Sequence, residues 1–142
     1  MRHFVPAARG VVLALFLIAP AWAGSPLVGN WSTTIDWDNR QAGLYVTLAI
    51  GADGRLRERV MNHAGMAYDL FGTYRMDATG RTMRFVWTGY SPKRICVGGN
   101  CTPIGPPQPL GIAHTSRIHW ENPNFFTGTT EDGASAKWIR MR

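Results

Sequence analysis

The chain has 142 residues, 45% of them hydrophobic, and carries 15 Lys and Arg against 9 Asp and Glu, a formal net charge of +6. That length suits one compact domain with a real core. No basic cluster or recognition motif accompanies the charge, which argues against nucleic acid as a partner. The first residues read as an address. Arg2, His3 and Arg9 make a basic start, residues 11–18 are an unbroken apolar run, and Pro20-Ala21-Trp22-Ala23 ends in small residues at the positions a signal peptidase reads. Cleavage after Ala23 is expected, giving a signal peptide over 1–23 and a single β-barrel domain over 24–142. An uncleaved anchor is the competing reading, but the run to Ala23 has 13 residues, where a bilayer takes about 20. Gly24 offers no cysteine for a lipid, and no second run of spanning length occurs. The expected product is periplasmic or secreted and not membrane-spanning. It keeps 13 basic and 9 acidic side chains, a mild +4 that permits contact with anionic headgroups or acidic glycans.

From residue 30 onward the punctuation is that of antiparallel strands and tight turns. Residues 31–37 form the first predicted strand. Leu44, Val46, Leu48 and Ile50 alternate with Tyr45, Thr47 and Ala49, placing one apolar row on one face. Gly51-Ala52-Asp53-Gly54 turns the chain into 55–61, where Arg55, Arg57 and Arg59 share a solvent face and Leu56, Glu58 and Val60 share the other. A strand over 66–76 carries Gly72 at its middle, where a bulge would help curl a barrel. After Asp77-Ala78-Thr79-Gly80, Met83, Phe85 and Trp87 form an inward aromatic row. Residues 89–111 contain five prolines and are expected as a long loop without a continuous ladder. Strands over 112–120, 125–130 and 136–141 complete eight, joined by turns at 121–124 and 131–133. The fold class is therefore all-β, an antiparallel up-and-down eight-stranded barrel, with a β-sandwich as the alternative.

Gly29 and Trp31 at the head of the first strand, with Arg140 near the end of the last, resemble the calycin group, whose best-known members are the lipocalins. The resemblance implies that Trp31 lies across a closed barrel end and that Arg140 stacks on it as a cation–π pair worth on the order of 1 kcal/mol. It also implies an interior that holds one small apolar or amphipathic molecule.

Cys96 and Cys101 are the two cysteines. In an exported chain they are expected as a disulfide closing a small ring at the tip of the loop. Their four-residue spacing is not that of thiol oxidoreductases. No metal site is expected, because His114 and His119 fall on opposite faces of one strand.

Chemistry could hide on the inward rows. His114 and Ser116 share a face with Ile112, Ile118 and Trp120, and Glu58 sits between Leu56 and Val60. With Phe85 and Trp87, the residues Glu58, His114, Ser116 and Trp120 are the candidate ligand-binding set; a closed internal hydrogen-bond network is the alternative role for the polar ones. No Gly-x-Ser-x-Gly elbow supports a hydrolase, so neither catalysis nor a cofactor is expected. The competing function is an envelope interaction protein using the loop 89–111, such as an inhibitor of an exported protease. Small exported barrel inhibitors of bacterial metalloproteases are similar in size and strand content, but this chain carries its cysteine pair in a late loop.

Overall fold

The computed structural model describes residues 25–37, 41–62 and 64–142; the expected signal peptide lies outside the described residues. Ten strands follow one another: β1 (Gly29–Trp37), β2 (Gln41–Ile50), β3 (Arg55–Met61), β4 (Ala67–Met76), β5 (Thr82–Ser91), β6 (Arg94–Val97), β7 (Asn100–Pro103), β8 (Ala113–Asn122), β9 (Phe125–Thr130) and β10 (Ser135–Arg140). Eight of them, β1 to β5 and β8 to β10, close into an antiparallel barrel in which each strand pairs with its neighbour in that order and β10 returns to β1. Closure rests on Trp31↔Arg140 and Ser32↔Ile139. The predicted fold class is the observed one, and closure removes the sheet edges that a sandwich would leave.

Alternation determines which residues meet. Val46, Leu48 and Ile50 of β2, Leu56 and Val60 of β3, Leu70 and Tyr74 of β4, Met83 and Trp87 of β5, and Ile118, Phe126 and Trp138 are all buried in one core. Gly72 sits at an irregularity between β4 and β5: Phe71 opposes Gly89 and Gly72 opposes Trp87, which leaves Thr88 as the extra residue. The bulge therefore falls where expected, with its additional residue on β5. A Cβ at Gly72 would collide with the Val86 carbonyl oxygen, so glycine is required here by close approach.

The stretch 89–111 departs from expectation. It is not a loop without a ladder: β5 runs on to Ser91, and β6 and β7 pair as a hairpin from Arg94↔Pro103 to Val97↔Asn100. Its two-residue turn, Gly98 and Gly99 at φ +58° and +84°, adopts the left-handed backbone that matches strand twist. Pro92 precedes β6 and Pro103 ends β7, so neither interrupts the ladder. The Cys96–Cys101 disulfide is present as a cross-strand pair of this hairpin. The rest of the segment is strapped to β5, with Tyr90 Oη donating to the Ile104 carbonyl at 2.9 Å and the Gly111 N–H to the Trp87 carbonyl at 2.8 Å. Two boundaries also shift. Ile112, expected on the inward row of β8, precedes that strand and is 53% exposed, and β8 continues through Asn122 into the predicted turn.

Candidate ligand site

The aromatic side chains of the inward rows fall into two groups. At one end Trp31 is fully buried. Its indole N–H donates to the Leu27 carbonyl at 2.9 Å, and Phe126 meets it edge-on at a centroid distance of 4.7 Å. Trp120 packs at 5.8 Å from Trp31 and 5.1 Å from Phe126. The Arg140 guanidinium lies 4.2 Å from the Trp31 ring and donates to the carbonyls of Val28, Pro26 and Pro123. One cation thus caps the indole and ties the stretch before β1 to the turn between β8 and β9. This end is plugged.

Elsewhere on the inward rows Leu44, Glu58, Tyr68, Phe85 and His114 are half-buried, as Trp120 is within the plug. Phe85 stands edge-on to Trp87 at 5.5 Å and is stacked with the His114 ring at 5.3 Å. The Phe85↔His114 register, across β5 and β8, produces that stack. Nε2 of His114 is buried without a hydrogen-bond partner among the described residues. Glu58 faces the interior from β3, opposite Leu48 on β2 and Leu70 on β4. Its neighbours on the same row are Leu56 and Val60. Burial among these apolar groups pushes its carboxyl up to about 7, because a carboxylate loses more solvation than its protonated form. Tyr68 is raised too, by burial and then by the charge of Glu58. Glu58 on β3 and the Phe85–Trp87–His114 stack on β5 and β8 thus both occupy inward rows, and among the described residues His114 Nε2 is a buried polar atom without a partner.

The sequence-derived candidates separate into two groups. Phe85, Trp87 and His114 stack on one another apart from the plug, Glu58 faces inward on β3 beside Leu48 and Leu70, and Trp120 belongs to the plug itself. Ser116 is buried opposite Met83 and Thr130, against Gly128.

Outside the barrel, sequence reasoning left the β3 arginines in solvent, but two of them are engaged. Arg57 and Arg59 each donate two hydrogen bonds to Asp69, at 2.9–3.2 Å. Asp69 is only 9% exposed although it is on the outer face. Burial alone would raise its carboxyl; the hydrogen bonds from Arg59 and Arg57 outweigh that and hold it below the ordinary range. A groove of about 600 Å³ runs beside this clamp, lined by Ala49, Arg57, Phe71, Thr73 and Thr88 among others. The Arg57 guanidinium in this groove is already held by Asp69, whereas His114 Nε2 on the inward face has no partner among the described residues.

Among the described residues no group of three or more His, Cys, Asp or Glu could hold a metal ion, and no helix is long and apolar enough to cross a membrane. No protein-family model, curated protein or solved structure matches the chain.

Proposed function

We propose that this protein is an exported, lipocalin-like barrel that binds a small apolar or amphipathic molecule in its interior without transforming it. Glu58 carries the reading. A carboxyl set among leucines with no hydrogen-bond partner among the described residues costs stability, and buried ionisable groups of that kind cluster at binding sites. A plug at one end and incompletely covered aromatic walls above it supply the apolar part of such a site. The Arg140–Trp31 cap supports the calycin likeness, and the leader-like first 23 residues support export. Native mass spectrometry of protein purified from its own compartment tests the reading: a small molecule retained by the wild type and lost from a Trp87→Ala variant is the expected result. Protein that retains nothing and takes up no apolar probe would refute it.

One observation favours a protein partner instead. Val97, beside the hairpin turn, is 74% exposed, with Leu110 and Ile112 also uncovered. Under that reading Val97→Ser abolishes a pull-down that Glu58→Gln leaves intact.

A further inference from the structure

The identity of the interior's missing partner can be narrowed by asking where the chain's own cations are. On the barrel strands the described arginines other than Arg140, together with Lys137, are all exposed. Arg140 alone turns inward, at the plugged end, where its guanidinium is committed to Trp31 and three carbonyls. The described inward rows thus hold the Glu58 carboxyl and no lysine or arginine free to match it. They add aromatic faces, Phe85 against Trp87 and His114 against Phe85, with Tyr68 close enough to feel the charge of Glu58. An inward carboxylate with aromatic faces on other inward rows is the chemistry that recognises an organic ammonium: the acid supplies a charge-assisted hydrogen bond and a ring a cation–π face. An anionic amphiphile would meet repulsion from the ionised carboxylate, and a neutral alcohol would leave its charge uncompensated.

Resting on the interior-site reading above, we propose that the barrel selects an amine-headed amphiphile, its ammonium at Glu58 and its apolar part along Phe85 and Trp87. Three probes of one chain length test this: octylammonium, octan-1-ol and octanoate, titrated by calorimetry at pH 8 into the protein purified from its own compartment. Octylammonium should bind about tenfold more tightly than octanol, a difference of about 1.4 kcal/mol, and octanoate most weakly. Glu58→Gln should bring octylammonium to the level of octanol while leaving octanol binding unchanged, and Glu131→Gln, in an exposed turn, should leave the order intact. Octanol equal to or tighter than octylammonium, or a preference that survives Glu58→Gln, overturns the ammonium proposal while leaving the interior site standing. Binding of none of the three overturns both. A Glu58→Gln chain whose circular dichroism differs from wild type would be replaced by Glu58→Leu, judged by the same ranking.

Discussion

If Glu58 is buried as described, it makes the barrel less stable at neutral pH than in mild acid. Its carboxyl is raised from 4.5 to about 7, so the unfolded chain releases this proton near 4.5 and the folded chain near 7. Between those values the native state binds more protons than the unfolded state, and stability falls as pH rises. At about 1.4 kcal/mol for each tenfold change, the full loss above pH 7 is about 3 kcal/mol. Glu58→Gln removes the ionisation and keeps the shape. Any cost of burying the amide is the same at all pH values, so the readout is the difference between two conditions. Urea unfolding followed by tryptophan fluorescence at pH 4.5 and pH 8 measures it. The variant's stability relative to wild type should rise by about 3 kcal/mol from the first to the second. A gain that is the same at both pH values, or absent at pH 8, would show that the carboxyl is solvated and that the interior is not the place described.

Other outcomes follow from the plug, the bulge and the hairpin. Trp31→Ala deletes a fully buried ring and should cost about 3 to 5 kcal/mol in chemical unfolding. Arg140→Ala should cost less, with a coupling of about 0.5 kcal/mol or more in the double-mutant cycle, because the two share one contact; Arg142→Ala, at an exposed residue, should show no coupling to Trp31. Gly72→Ala forces a methyl against the Val86 carbonyl and should cost about 2 kcal/mol by the same assay, the usual range for overpacking. Replacing both Cys96 and Cys101 with Ser should leave far-ultraviolet circular dichroism nearly unchanged, because the ring they close is local; loss of the barrel signal would show that the hairpin supports the core.

What could be read without coordinates was whatever depends on alternation. The row Val46, Leu48, Ile50 and the row Met83, Phe85, Trp87 each select a face, and eight such rows with tight turns between them amount to a barrel. Alternation gives the face but not the height along the barrel, which is why Trp120 was grouped with Phe85 and His114 although it packs against Trp31. Height depends on register and strand tilt, set jointly by all eight strands. The clamp on Asp69 was hidden for the same reason: its arginines lie ten and twelve residues earlier, and only the Arg59↔Asp69 pairing brings them together. The hairpin had a local signal, Gly98-Gly99 between Ile95-Cys96-Val97 and Cys101-Thr102, but flanking prolines obscured strands of four residues.

The manner in which Arg140 ties Pro26, Val28 and Pro123 also determines how the molecule would hang from a support. The Met141 N–H donates to the Asn30 carbonyl at 2.8 Å, so the chain enters and leaves the barrel side by side at the plugged end. A tag, fusion or immobilising linker at either of these points therefore projects away from the opposite rim and from the β6–β7 hairpin. A fluorophore at the Gly98-Gly99 turn, by contrast, would stand on the β6–β7 hairpin that follows β5 at the opposite rim, where it reports on the motion of that hairpin alone.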